Sequence, residues 1–182
     1  MNKCYVFIGP SGSGKTSLAA ALFQPTQKII TYTTRQPRKE EIDQKDYYFI
    51  SEIRFEQMVK KHEFVEWDVY AENKYGSSKA EIMKKLAQGN CYTVLTANGF
   101  WALYDYFGER IQPVFVTISQ SKLKERLSSR GDTPEQIQKR LTLFEQDAKE
   151  LKLLEKHPQL ILLSNNNTLD KTKKQFFSQL QK

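Results

Sequence analysis

The chain has 182 residues, 39% of them hydrophobic and 27% charged, with only 8 Gly and 6 Pro; that length suits one compact domain, and the composition excludes disorder, collagen-like repeats and low-complexity scaffolds. Lys and Arg number 28 against 21 Asp and Glu, a balance of +7, which suits anionic ligands without separating nucleotides from nucleic acid. Cys4 and Cys91 each sit in an apolar run without CxxC spacing, so neither a zinc site nor a disulfide framework is expected and both thiols read as buried and reduced.

The amino-terminal apolar run is too short for a signal peptide, and no stretch approaches the ~20 apolar residues of a membrane span. A cytoplasmic protein with no membrane partner is expected. Residues 3–8 form a short apolar run of β-formers ended by Gly9-Pro10, which reads as a strand buried in a parallel sheet. Residues 15–23 read as a helix stopped by Pro25. Residues 31–78 have a different texture, with polar turns, aromatics and strand-like pieces at 46–50 and 64–67, and are expected to form an inserted subdomain. Within it Ser51 starts a short helix over 52–61.

Ser78 and Glu81 form a capping box for a helix ending at Gly89, and 91–97 reads as a second buried strand. A helix over 101–107 closed by Gly108 and a strand over 113–119 follow. Residues 121–130 read as helical. Thr133, Pro134 and Gln136 then open a long helix with Ile137, Leu141, Phe144, Ala148 and Leu151 on one face, stopped by Pro158. A fourth strand at 160–164 and an amphipathic helix at 168–180 complete a three-layer α/β domain with a mainly parallel sheet. His62 and His157 flank predicted helix ends and read as surface residues; Trp67 and Trp101 read as core.

The strongest chemical signal is Gly9-Pro10-Ser11-Gly12-Ser13-Gly14-Lys15-Thr16, followed by Ser17. It satisfies G-x-x-x-x-G-K-[ST] between a predicted strand and helix, where backbone N–H groups can cradle phosphates, Lys15 can reach the β/γ-phosphates and Thr16 can ligate Mg²⁺. Lys171, Lys173 and Lys174 lack the basic-aromatic interleaving of an RNA platform, so no nucleic-acid partner is expected.

Beyond the P-loop come Thr31-Tyr-Thr-Thr-Arg35-Gln-Pro-Arg38, then Lys45-Asp-Tyr47, Glu63-Phe-Val-Glu66-Trp67 and Tyr75-Gly76-Ser77. In order and spacing this set resembles the guanylate kinase family over essentially the whole chain. The resemblance implies the P-loop kinase fold, with a core at about 1–30, 79–120 and 141–182, a nucleoside-monophosphate-binding subdomain at 31–78 and a helical lid at 121–140. It implies ATP and GMP as substrates and Mg²⁺ as the accompanying ion. By the same resemblance Arg35, Arg38, Tyr47 and Tyr75 grip the GMP phosphate, Glu66 reads the guanine edge, and Thr31 and Ser77 contact the base. Arg126, Arg130 and Arg140 resemble the family's catalytic lid arginines beside Lys15 and Arg35, and Asn165 falls near its adenine-side loop.

The chain departs from the family at one strand end, where Val94-Leu95-Thr96 stands in place of an Asp-x-Asp pattern. Thr96 still offers the base a hydroxyl, without charge. The expected activity is transfer of the ATP γ-phosphoryl group to GMP; a kinase with another acceptor and a non-catalytic nucleotide-binding or protein-interaction relative remain open alternatives. Oligomeric state is not legible.

Overall fold

The computed structural model of the protein describes residues 1–70, 72–129, 131–147 and 149–181. Strand β1 (Cys4–Ile8) is buried along its whole length. Its Cys4, Val6 and Ile8 enter one apolar cluster with Ile82, Leu86, Phe100 and Leu103, while Tyr5 and Phe7 enter another with Leu18, Ala19 and Phe176. A strand covered by helices on both faces has no polar side to show, which is why the run does not alternate. Fully burying side chains such as Phe7, Phe100 and Phe115 contributes ~1.5–3 kcal/mol each.

After β1 come α1 (Lys15–Leu22), a 3-10 turn (Pro25–Gln27), β2 (Tyr32–Thr33), β3 (Tyr48–Phe49), α2 (Glu52–Lys60), β4 (Phe64–Tyr70) and β5 (Asn73–Ser78). The order continues with α3 (Lys79–Gln88), β6 (Cys91–Val94), α4 (Ala97–Phe107), β7 (Ile111–Thr117) and α5 (Gln120–Ser129), then α6 (Pro134–Asp147), α7 (Glu150–Leu154), β8 (Ile161–Ser164) and α8 (Leu169–Leu180). Strands β6-β1-β7-β8 form one sheet, parallel throughout. Helices α1 and α8 cover one face; α3, α4 and α7 cover the other. Strands β3-β2-β5-β4 form a second sheet, built on the β4–β5 antiparallel hairpin and backed by Phe55, Met58 and Phe64. Helices α5 and α6 pack on each other through Leu123, Leu127, Ile137 and Leu141.

The predicted caps are in place. Ser51 and Ser78 accept from the N–H groups of Arg54 and Glu81, and Thr133 and Gln136 exchange the reciprocal bonds of a capping box; the return bond expected of Glu81 to Ser78 is replaced, its carboxylate accepting from Ile30 N–H and the Tyr48 hydroxyl, and Thr168 adds a cap that was not expected. Several sequence expectations need correction. The strand expected over 91–97 stops at Val94, because the Thr96 side chain caps α4, accepting from Gly99 N–H at 3.2 Å; that helix begins four residues before the expected start. The long helix after Thr133 is divided into α6 and α7; Ala148, expected on its face, lies outside the described residues. Trp67 is 46% exposed on the second sheet, although Trp101 packs against the core. His157 is buried, ringed by Phe100, Trp101 and Tyr104. Cys4 and Cys91 are free, buried and paired in register across β1 and β6. No helix among the described residues is long and apolar enough to cross a membrane.

Candidate active site

Parallel strands all deliver their following loops to one sheet edge, and ligand sites form there. The loop after β1 is shaped by glycine: Gly9 has φ +135° and Gly14 φ +88°. A Cβ on Gly9 would lie 2.4 Å from the Val116 carbonyl oxygen, and one on Gly14 would lie 2.5 Å from Asn165 Nδ2. Only glycine allows the chain to pass so close to β7 and then turn into α1. As N-cap, Gly14 provides no side-chain acceptor, so the first-turn N–H groups and the helix dipole face whatever anion enters. The Lys15 ammonium arches over this loop, donating to the carbonyls of Gly9 and Pro10.

Opposite the loop lies a cleft of about 490 Å³. Gly9, Ser11 and Lys15 line its donor side; Thr31, Arg35, Arg38, Tyr47, Glu66 and Tyr75 line the other. The Arg35 guanidinium organises the acceptor wall. Its Nε donates to the Tyr75 hydroxyl at 3.2 Å, its Nη2 to Glu41 Oε1 at 2.8 Å, and its Cζ sits 5.4 Å from the Tyr47 ring centroid. Glu41 also accepts from Arg38 N–H at 2.8 Å. The Arg35 hydrogen bond, with that backbone contact, holds the Glu41 carboxyl at a pKa of about 2, and the same pairing pushes Arg35 upward. Burial raises the Tyr47 phenol, so it remains a neutral donor. A fork of guanidinium groups flanked by phenols is chemistry for a phosphate dianion.

At the far end of the cleft Ser77, fully buried on β5, donates its hydroxyl to Glu66 Oε1 across the β4–β5 ladder. Burial raises the Glu66 pKa above the usual carboxylate value, the Ser77 hydroxyl opposing the shift. Glu66 Oε2 lies 3.6 Å from the position a Cβ on Gly99 would take, so the carboxylate sits against the first turn of α4. Val94, Leu95 and Thr96 complete this wall.

The comparisons with known proteins agree on one family. The family described as guanylate kinase matches residues 1–182. The chain is 35% identical over 173 residues to the guanylate kinase of Helicobacter pylori (strain ATCC 700392 / 26695), covering 92% of this chain and 81% of that one. It is 32% identical over 162 residues to that of Caldanaerobacter subterraneus subsp. tengcongensis, covering 86% and 77%. The chain belongs to the guanylate kinase family. The crystal structure of guanylate kinase from Anaplasma phagocytophilum shares the fold, with a TM-score of 0.66 at 22% identity, covering 99% of this chain and 85% of that one. Family membership makes the protein a nucleoside monophosphate kinase.

Set against the family's expected residues, the remaining positions divide. Thr16 lies on the first turn of α1, outside the main cleft, on the wall of a neighbouring cavity of about 300 Å³. Ser17 follows it, exposed. Pro10, Gly12 and Ser13 belong to the loop itself, Ser13 being fully buried. Asn165, which the resemblance puts near the adenine-side loop, is bonded to the P-loop: its amide donates to the Ser13 carbonyl at 2.7 Å and its Oδ1 accepts from Thr172, and it is 4% exposed. Arg126 joins it, donating to the carbonyls of Asn165 at 2.9 Å and Ser13 at 3.4 Å. Arg140 pairs with Asp132 at 3.4 Å. Neither arginine lines the cleft, and Arg130 lies outside the described residues.

Three lining carboxylates escaped the sequence reading: Glu41, Asp68 and Glu150. Asp68 was findable, since it follows Glu66 by two positions on a strand and therefore shares its face. Glu150 arrives from α7, a helix that sequence pattern had merged into its predecessor. Among the described residues no group of three or more His, Cys, Asp or Glu could hold a metal ion. The Thr16 hydroxyl, on the first turn of α1, is an oxygen that could join the coordination of a metal ion carried in by nucleotide phosphates.

Proposed function

We propose that this chain transfers the γ-phosphoryl group of Mg-ATP to GMP, releasing ADP and GDP. One observation carries the reading: the P-loop lysine, the Arg35–Arg38–Tyr47–Tyr75 set and the partly desolvated Glu66 line a single cleft. Acceptor phosphate and donor phosphate then meet with no covalent enzyme intermediate. An oxygen of the GMP phosphate dianion bonds to the γ-phosphorus as the bond to the β–γ bridging oxygen breaks. Charge is conserved in this exchange, so no general base is required and catalysis rests on positioning and on cations around the equatorial oxygens.

Each residue then has a task. The P-loop N–H groups and Lys15 hold the β- and γ-phosphates; Thr16, water and the phosphates hold Mg²⁺, which when bound neutralises charge on the β- and γ-oxygens. Arg35 and Arg38 fix the acceptor phosphate bidentately while Tyr47 and Tyr75 complete its hydrogen bonds. Glu66 accepts from guanine N1–H and N2–H₂ together, where adenine would present an acceptor at N1. Thr31, Ser77 and Thr96 supply hydroxyls around the base. Residues 121–140 close over the cleft as a lid, bringing Arg126, Arg130 and Arg140 to the transferring group, and residues 31–78 close from the other side to exclude water. Asn165, under the loop, holds the cradle's shape.

The test is ADP release from Mg-ATP against GMP, IMP, AMP, CMP and UMP. GMP is expected to give the highest kcat/KM. A higher value with another monophosphate assigns a different acceptor, and no turnover with any of them refutes the kinase reading.

A further inference from the structure

The neighbouring cavity of about 300 Å³ shares Thr31, Tyr47 and Val94 with the main cleft and has Thr16 on its wall. It thus lies between the hydroxyl expected to hold the nucleotide's metal and the phenol expected to hold the acceptor phosphate. One half-buried cation stands there. Lys28 begins a bridge that adds an edge to the parallel sheet beside Tyr92. Its ammonium reaches 3.0 Å from the Asp46 carbonyl oxygen and 5.6 Å from the Tyr47 ring centroid. The same ring is approached by Arg35 at 5.4 Å, so Tyr47 carries a cation from each of the two cavities.

Among the described residues the Asp46 carbonyl is the only hydrogen-bond acceptor of the Lys28 ammonium. An ammonium has three donors. A partly desolvated cation on a cavity wall favours an anion entering beside it, and burial here lowers the Lys28 pKa while the more distant Asp46 and Glu41 carboxylates only partly offset it. The other charged side chains on this wall, Lys45 and Asp46, cancel. The wall therefore keeps one net positive charge, beside apolar Val94, at the junction of the donor and acceptor ends.

From this geometry we propose that Lys28 is a further catalytic residue of the transfer reaction, donating to the phosphoryl oxygens between donor and acceptor from the side of the second cavity. The proposal rests on the phosphotransferase reading above. It differs from an anchoring role in what it moves. A lysine that only ties down Asp46 would, when lost, loosen Tyr47 and weaken GMP binding; a lysine that meets the transferring group acts when both phosphates are present.

The experiment compares wild type with Lys28→Met, Lys28→Gln and Lys28→Arg in steady-state ADP release. In parallel, calorimetry titrates GMP alone and a bisubstrate probe joining adenosine and guanosine through five phosphates. For the two neutral variants the expected result is a fall in kcat of ~10–100-fold with KM for GMP within ~3-fold of wild type. The bisubstrate probe should bind them at least ~10-fold more weakly while GMP affinity is nearly unchanged, and Lys28→Arg should recover most of both losses. A raised KM with kcat retained, or probe affinity unchanged in the neutral variants, overturns the proposal while the kinase reading stands. If wild type phosphorylates no monophosphate, that reading fails and the proposal for Lys28 falls with it. Using Met and Gln together keeps the test open if either variant folds poorly.

Discussion

Glu66→Gln isolates the base-reading step. The carboxylate is fixed before any ligand arrives, with Ser77 donating to Oε1 and Oε2 resting near α4, so guanine meets a preset acceptor pair. Each hydrogen bond to the charged group contributes ~1.5–3 kcal/mol, and replacing one acceptor with an amide N–H sets donor against donor and leaves a group unsatisfied at ~1–3 kcal/mol. The sum, ~2.5–6 kcal/mol, predicts that kcat/KM for GMP falls by at least ~70-fold. IMP lacks the 2-amino group and should fall less, so the GMP/IMP ratio drops by ~10–100-fold. Titration gives a matching sign: burial raises the Glu66 pKa, so the acceptor pair is present above that raised value and lost as pH falls through it, and the acidic limb of kcat/KM for GMP should lie above the ordinary carboxylate range. Stability moves the other way. A carboxylate whose pKa is raised on folding favours folding most when protonated, so the neutral Gln variant should melt at or above the wild-type temperature at pH 7. Steady-state rates with GMP and IMP and a thermal melt on the same preparations decide the matter. An unchanged GMP/IMP ratio in a normally folded Glu66→Gln variant removes Glu66 from recognition.

Gly9→Ala places a side chain at φ +135° with its Cβ 2.4 Å from a backbone oxygen of β7; strain and overpacking together should cost ~2–5 kcal/mol and lower Tm by roughly 5–15 °C, and a melt within 2 °C of wild type, an arbitrary ~2 °C tolerance, would show that the β1–β7 contact relaxes freely. His157 has its pKa lowered, chiefly by burial and then by Lys3. The unfolded chain therefore binds more protons than the folded one between the lowered value and about 6.5, and stability should be complete above that and decline as pH falls from 6.5 to 5. His157→Gln should flatten Tm over this interval, and an unaltered slope would assign the acid sensitivity elsewhere.

What the sequence revealed and what it hid follow from range. The P-loop, the caps at Ser51, Ser78 and Thr133, and the apolar strands are local, and each appears where its short-range chemistry put it. The acceptor residues were legible through a resemblance, since no spacing rule shows that Arg35, Tyr47 and Tyr75 will meet; the second sheet brings them together by pairing Thr33 with Tyr75. Misreadings had two sources, a local cap hidden in an apolar pattern and a long-range contact that no local pattern shows. Thr96 caps α4 inside what reads as one apolar run, and His157 is buried by aromatics of α4 that lie more than fifty positions away. Cys4 and Cys91 lack motif spacing yet face each other across neighbouring strands, a proximity created by parallel pairing alone. Lys28 gave no signal, because its significance depends on which cavity its ammonium enters.

The charges of the cleft explain why its residues must be arranged and not merely abundant. Four lining carboxylates, Glu41, Glu66, Asp68 and Glu150, face three lining cations, Lys15, Arg35 and Arg38, although the whole chain carries +7. A cleft lined by a phosphate-type loop is thus not positive by count. The charges are sorted in space: Glu66 is held by Ser77 and lies against the first turn of α4, while the Arg35 guanidinium is gathered with Tyr75, Tyr47 and Glu41. Glu41 stands beside the cations, accepting from the Arg35 guanidinium, a donor a phosphate would also use, and from the Arg38 backbone N–H. An incoming dianion must share or displace that carboxylate, so part of its attraction to the fork goes into replacing an existing partner. Discrimination against weaker anions follows, because a monoanionic carboxylate or chloride gains little over Glu41 already in place, whereas a phosphate dianion with more acceptor oxygens can engage both arginines and both phenols at once.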